Sequence, residues 1–267
     1  MDPKKLLIDY TKPQIFSQTD NIRDHIFPLI KVKVLDSKYV GEPELIGTGF
    51  LIGARGFGLT AAHVLDQCFT DLGENEAVVA IFWNMFTEYV AFQVTAHEKH
   101  PTEDVGLVKL SHEDLWSIFE ISDTHQNATC EYGCWGYPME IAEELKKLYE
   151  GAQQQPDLIY TQGYIRRRIT RDLFPTMIFR GMQFYELSEQ VGEGNSGAPV
   201  IWRRSIGAHK WQIIGIYIGE KGSKSIGEKD GSKVSYAVRA EAFVGWQPAL
   251  LKGRTVREES TAHGIQP

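Results

Sequence analysis

Long apolar runs are missing from this 267-residue chain, and none approaches the roughly 18 residues that a membrane-spanning helix needs. Residues 1–20 are polar and mixed in charge, so they lack the apolar stretch of a secretory signal. Cysteine is scarce: there are 3, an odd number without framework spacing. Cys130 and Cys134 share a face of an expected strand but stand roughly 13 Å apart, too far for a disulfide. Free buried thiols in a reducing compartment are the expectation, and with them a cytoplasmic location. Positive charge is also short, with 28 Lys and Arg against 35 Asp and Glu, a net charge of −7. A nucleic-acid binder would present a basic surface, so neither nucleic acid nor membrane is expected as a partner. The one basic cluster, Arg166-Arg167-Arg168 with Arg171, reads as a solvated hairpin. No internal repeat or low-complexity tract is visible.

What is present is a chain that is 42% hydrophobic, enough for a sizeable core. Its 25 glycines and 11 prolines are spread throughout and imply many turns. Residues 30–35 alternate as a half-buried strand should. Further short strands are predicted at 45–52, 58–60, 77–83, 89–95 and 105–110, then at 128–135, 158–168, 176–187, 200–203, 211–217 and 233–239. Ile141, Leu145 and Leu148 recur at helix spacing, which predicts a helical insertion over 139–150. Residues 240–251 read as a closing helix, weakened by Gly245 and Pro248. The expected division is an extension with a first strand at 1–44 and a first β subdomain at 45–120. A second β subdomain follows at 121–251, then a mobile tail at 252–267.

The run Gly192-Glu193-Gly194-Asn195-Ser196-Gly197-Ala198-Pro199 places a serine in a glycine-rich turn before the apolar Val200-Ile201-Trp202. Glycines let such a turn aim its N–H groups one way, so the hydroxyl could attack a carbonyl while the N–H groups stabilise the charged oxygen. Serine needs a base, and His63 stands out among 8 histidines because it leaves an apolar strand after two small alanines. The imidazole needs a carboxylate to hold its tautomer. Asp104 opens the apolar Val105-Gly106-Leu107-Val108 and is preferred. Asp66, three residues from His63, reads as a helix cap, Asp114 lies in a solvated run, and Glu103 points away if the segment is extended.

The order His63, Asp104, Ser196, with separations of 41 and 92 residues, resembles the trypsin-like serine peptidases of the chymotrypsin fold. The motifs that carry the likeness are Thr60-Ala61-Ala62-His63-Val64, Asp104-Val105-Gly106-Leu107-Val108 and Gly194-Asn195-Ser196-Gly197-Ala198-Pro199. Gly47-Thr48-Gly49-Phe50-Leu51-Ile52 resembles the strand before the histidine, and the likeness spans about 40–245. It is nearest to bacterial intracellular and Deg/HtrA-type peptidase domains, on Tyr160-Thr161-Gln162-Gly163-Tyr164-Ile165 and Ser235-Tyr236-Ala237-Val238, here without a PDZ module.

The resemblance implies a mainly all-β fold, a chymotrypsin-like double six-stranded β-barrel with an inserted helix and a C-terminal helix. It implies Ser196 as nucleophile, His63 as base, Asp104 as its orienting partner, and the N–H groups of Gly194 and Ser196 as an oxyanion hole. The substrate would be a peptide or protein laid along Tyr217-Ile218-Gly219. Gln190 and Tyr236 would shape a pocket with a preference for small or medium apolar residues, and Glu220 would lie near its rim. No metal and no organic cofactor is implied. Digestive relatives carry aspartate where this chain has Asn195, and pair it with a new N-terminal amine. Asn195 cannot form that ion pair, and no Ile-Val-Gly-Gly start is present. Control by an activating protein partner acting through the 139–150 insertion is therefore expected. The alternative is a silent or latent scaffold that binds a partner protein.

Overall fold

Strands far outweigh helices along the chain, and most of them bury at least one face. The computed structural model describes residues 8–9, 16–36, 38–83, 89–149, 156–223 and 232–262. In chain order the first half holds β1 (Ile8–Asp9), β2 (Ile26–Leu35), β3 (Lys38–Ile52), β4 (Phe57–Thr60), helix α1 (Ala62–Phe69), β5 (Glu76–Trp83), β6 (Tyr89–Lys99) and β7 (Gly106–Leu110). The second half holds β8 (Phe119–Ile121), β9 (Glu131–Gly136), α2 (Ala142–Tyr149), β10 (Ile159–Thr170), β11 (Gln183–Leu187), β12 (Pro199–Trp202), β13 (Trp211–Ser223), β14 (Ser232–Arg239) and α3 (Val256–Thr261).

Each half closes on itself. Strands run in the order β3-β2-β5-β6-β7-β4, and β4 pairs back with β3. The second set runs β12-β9-β10-β11-β14-β13, and β13 pairs back with β12. The result is two closed six-stranded antiparallel barrels, the chymotrypsin-like double barrel. Closure leaves no exposed edge along the barrel walls and puts alternate side chains inside. The second interior is filled by Tyr132, Cys134, Ile165, Tyr185, Val200 and Tyr217. β1 is added beside β3, and β8 pairs parallel with β13, which ties the crossover between the halves to the second sheet. Among the described residues no helix is long and apolar enough to cross a membrane.

Several boundaries differ from those read in the sequence. The first barrel begins at β2, because Ile26 to Leu35 pairs with both β3 and β5, so residues 26–44 are barrel wall rather than extension. Of the strand expected at 176–187 only Gln183–Leu187 is extended. The preceding loop is gathered by Arg171, whose guanidinium donates to the carbonyls of Gly181 at 2.6 Å, Met177 at 3.3 Å and Phe179. The basic cluster is ion-paired: Arg166 and Arg167 meet Glu186 at 3.3 and 2.7 Å, and Arg168 meets Glu241 at 3.8 Å.

The closing helix over 240–251 does not form; two single turns, Ala240–Ala242 and Ala249–Leu251, stand there instead. Pro248 precedes the second turn and cannot supply a helix N–H. The C-terminal helix is α3, inside the stretch read as a mobile tail. Thr255 and Glu258 form a reciprocal capping box at its start. Glu259 is fully buried and paired with Arg55, and Ser260 Oγ accepts the N–H of Ile121 at 3.1 Å. Its charges meet partners far away in the chain. The helix of the 139–150 insertion forms as a single turn, Met139–Ile141, leading into α2. Ile141 and Leu145 are buried in the core, so these two side chains pack inward. Residues 150 and 263–267 of those readings lie outside the described residues.

Candidate active site

His63 is the second residue of α1, which starts as soon as β4 ends. The N-cap residue, Ala61, has no side chain to satisfy the first helical N–H groups. Asp104 does so from the loop before β7. Its Oδ1 accepts the backbone N–H of His63 at 2.9 Å, and its Oδ2 lies 2.7 Å from His63 Nδ1. One carboxylate thus fixes the start of the helix and the plane of the ring. Its negative charge also suits a helix N-terminus. Asp104 is 3% exposed, while the His63 side chain is 34% exposed. A carboxylate on Nδ1 keeps the proton there and leaves the Nε2 lone pair directed outward.

The rival carboxylates are elsewhere. Asp66 pairs with Lys99 at 2.5 Å, and Asp114 is exposed. Glu103 is buried, but it turns from His63 to the second barrel, where it accepts the N–H of Met182 at 3.0 Å.

Ser196 sits half-buried in the loop before β12, against the end of β4 that leads to His63. Gly197 has φ +93°, and a Cβ there would lie 2.0 Å from Thr48 O and 2.2 Å from Thr60 Oγ1, so only glycine allows this approach. Thr48 N donates to Ser196 O at 2.9 Å, and Gly197 N donates to Tyr217 O at 2.8 Å. Among the described residues no hydrogen bond joins Ser196 Oγ to His63 Nε2.

Four further carbonyls of the loop are held. Asn195 Nδ2 donates to Val191 O at 2.5 Å, and Met139 N to Glu193 O at 2.8 Å. Thr48 Oγ1 donates to Gly194 O at 3.2 Å, and Ala198 N to Asn195 O at 2.8 Å. The N–H groups of residues 193–196 take no partner among the described residues. In a trans peptide the C=O and N–H point opposite ways. Holding Glu193 O and Asn195 O away therefore turns the Gly194 and Ser196 N–H groups out of the loop, as a developing oxyanion requires. Gly194 is at φ +86°, and a Cβ there would lie 2.5 Å from Met139 N.

The residues expected to form a pocket separate into two groups. Tyr217, Ile218 and Tyr236 are buried, and Gly219 is half-buried with the Phe179 ring over it. Gln190 is exposed and makes no hydrogen bond among the described residues, unlike a residue at a pocket base. The Glu220 side chain is only 8% exposed, and its Oε1 accepts the Gly192 N–H at 3.0 Å. Burial pushes the Cys134 thiol and the Tyr217 hydroxyl well up, and the Cys68 thiol up to about 12. All three cysteines are free, and burial keeps Cys68 and Cys134 as neutral thiols rather than nucleophiles. Among the described residues no group of His, Cys, Asp or Glu is arranged to hold a metal.

Sequence reasoning missed Thr48, Glu103 and the backbone of Met139. A buried threonine in an apolar strand is one usable signal, since a buried hydroxyl must find partners.

A family model described as the trypsin-like peptidase domain matches residues 47–216. A search of curated proteins gave no significant match. Among solved structures, the MamO protease domain from Magnetospirillum magneticum superposes with a TM-score of 0.56 at 10% identity, covering 86% of this chain and 99% of that one. The HtrA-type protease AlgW, solved with a decapeptide, gives 0.54 at 13%, covering 81% of this chain and 61% of AlgW. Deg5 gives 0.54 at 13%, with 85% and 90% covered. These likenesses are of fold.

Proposed function

Because the chain belongs to the trypsin-like peptidase family, we propose that it is a serine endopeptidase that hydrolyses peptide bonds through an acyl-enzyme. The observation that carries this reading is the loop at 191–197, whose Glu193 and Asn195 carbonyls are bound while the Gly194 and Ser196 N–H groups take no partner among the described residues. Ser196 Oγ attacks the scissile carbonyl. His63 Nε2 takes its proton and later returns one to the leaving amine. Asp104 holds the ring in the tautomer that leaves Nε2 free. The Gly194 and Ser196 N–H groups receive the oxyanion.

An extended substrate would lie along β13 beyond Tyr217. The β12–β13 ladder ends at Pro199 opposite Ile216, and Gly197 N and Ala198 O take the backbone groups of Tyr217, so that edge of β13 lacks a strand partner among the described residues only past Tyr217. The decapeptide named for AlgW fits such a mode by analogy of fold. Tyr236 and the Phe179 ring 5.5 Å from it narrow the site towards small or medium apolar side chains. The contact of Met139 N with Glu193 O joins the insertion to the oxyanion loop, and an activating protein partner would act there. Free thiols agree with a cytoplasmic setting.

A fluorophosphonate probe tests the assignment. Covalent labelling of the wild type, lost in Ser196→Ala, is the expected result. Equal labelling of both proteins overturns the role of Ser196. The second reading, a latent scaffold, draws its support from the missing Ser196–His63 hydrogen bond. That contact often tightens only when substrate binds, so it weighs less than the loop geometry. A protein that labels only after cell extract is added is latent.

A further inference from the structure

Glu220 is a nearly dry carboxylate on β13, and such a group persists only when paired or hydrogen-bonded. Its Oε1 accepts the Gly192 N–H at 3.0 Å and lies 3.5 Å from Ser235 Oγ, while its Oε2 faces Lys233 Nζ at 3.7 Å. Ser235 stands directly across the β13–β14 ladder from Glu220, and its hydroxyl accepts the N–H of Val191 at 3.2 Å. Two successive N–H groups leading into the serine loop are thus anchored at one register position of the barrel. The peptide between Val191 and Gly192 is gripped at both polar ends: Asn195 Nδ2 holds its carbonyl, and Glu220 holds its N–H.

We propose that Glu220 is a positioning residue, which clips Gly192 to β13 and thereby sets the peptide planes as far as Gly194 and Ser196. The inference rests on the peptidase reading of that loop. Gly192 and Gly194, at φ +93° and +86°, leave the segment with wide conformational freedom unless something restrains it. A carboxylate on an N–H is a charge-assisted bond, stronger than a neutral one. No disulfide ties these segments together, since all three cysteines are free. The other role open to Glu220 is to receive a basic side chain of the substrate. The geometry disfavours it, because both carboxylate oxygens already face partners.

The test uses the full chain with Glu220→Ala and Glu220→Gln. It reads kcat and KM on two peptides, carrying Arg or Ala at the cleaved position, and hydrogen exchange of the Gly192 amide. Glu220→Ala should lower kcat about tenfold on both peptides with KM within about twofold, and should speed Gly192 exchange at least about tenfold. Glu220→Gln keeps an oxygen acceptor and should restore both to within about threefold. Should Glu220→Ala not fold, Glu220→Met takes its place, filling the space without accepting a hydrogen bond. A loss confined to the Arg peptide would assign Glu220 to recognition and overturn the proposal, as would unchanged exchange in Glu220→Ala. If the wild type neither labels nor turns over even with cell extract added, the peptidase reading fails. The Gly192 exchange then still decides the clip, through its loss in the alanine variant and its return in the glutamine variant.

Discussion

Thr48 Oγ1 donates to the carbonyl oxygen of Gly194 at 3.2 Å, so a hydroxyl of the first barrel orients a loop of the second. The same oxygen accepts the N–H of Tyr137 at 3.0 Å, and Thr48 itself is fully buried. Its backbone oxygen takes the Thr60 hydroxyl at 2.7 Å, two residues before Ala62 starts α1. One side chain therefore connects β3, the turn after β9 and the oxyanion loop.

Replacing Thr48 by valine keeps the shape and strands the buried Tyr137 N–H. Leaving such a donor unpaired costs about 1–3 kcal/mol, which a denaturant titration would read as a lower midpoint with an unchanged slope. Thr48→Ser keeps the hydroxyl and should fall within about 1 kcal/mol of wild type. A larger loss in Thr48→Ser than in Thr48→Val would mean that the methyl packing, and not the hydroxyl, matters here.

Met139→Pro isolates the contact between the insertion and the loop. Met139 opens the turn before α2, where proline fits because that first N–H has no helical partner. Pro138 before it is already extended, at ψ 161°, as a residue preceding proline must be. The variant should fold while losing the N–H that holds Glu193 O. Fluorophosphonate labelling should slow by about tenfold or more with little change in Tm. Labelling at the wild-type rate would show that Glu193 O stays out of the oxyanion site without Met139.

What could be read from the sequence follows from where each residue finds its partner. His63, Asp104 and Ser196 were legible because their residue types announce their chemistry and their order matches a known pattern. Thr48, Glu103 and Glu220 act on backbone atoms of Gly194, Met182 and Gly192, and a backbone N–H or C=O leaves no mark in a sequence. The strands of both barrels were visible from alternation, but residues 176–182 passed for part of a strand because the organiser of their loop is one inward guanidinium. Helix α3 was hidden for a similar reason. Its acidic residues look solvated until Arg55, 204 positions away, is seen to neutralise Glu259.

His25 makes the stability of the first barrel depend on pH. The ring is fully buried, with Nε2 2.9 Å from Thr19 O and Nδ1 3.0 Å from Gln18 Nε2. Burial lowers its pKa from 6.5 to about 4, so the unfolded chain takes up a proton before the folded one does. The neutral ring's contribution is complete above 6.5 and fades as pH falls towards about 4, by about 3 kcal/mol at most. Burial raises the Asp24 carboxyl, whose effect has the opposite sign and belongs to the carboxylate range. Denaturant midpoints between pH 7 and 5 should decline in the wild type and flatten in His25→Gln. Parallel slopes in the two proteins would place the acid sensitivity elsewhere.

Asn195 sits where digestive members of the family keep an aspartate for a new N-terminal amine, and here its environment selects the amide. The side chain is 2% exposed, and Nδ2 donates to Val191 O at 2.5 Å. Its Oδ1 faces the backbone of Gly136 without a hydrogen bond. An ionised aspartate in Asn195→Asp would set a carboxylate oxygen against the Val191 carbonyl in a dry site. A protonated one could donate to that carbonyl as the amide does. The new carboxyl should therefore titrate above its unfolded value in the folded protein. A raised folded value gives stability that is present at low pH and lost as pH rises through it, the reverse of His25. Asn195→Asp should thus be less stable and label more slowly than wild type at pH 7. The difference should shrink by up to about 1.4 kcal/mol for each pH unit of acidification within the window between the two values. Unfolding midpoints and labelling rates of both proteins across pH 4.5 to 7.5 check this. A constant difference over that range would show that the lost donor alone matters. No difference at pH 7 would show that a cation reaches the site and that Asn195 does not exclude activation by ion pairing.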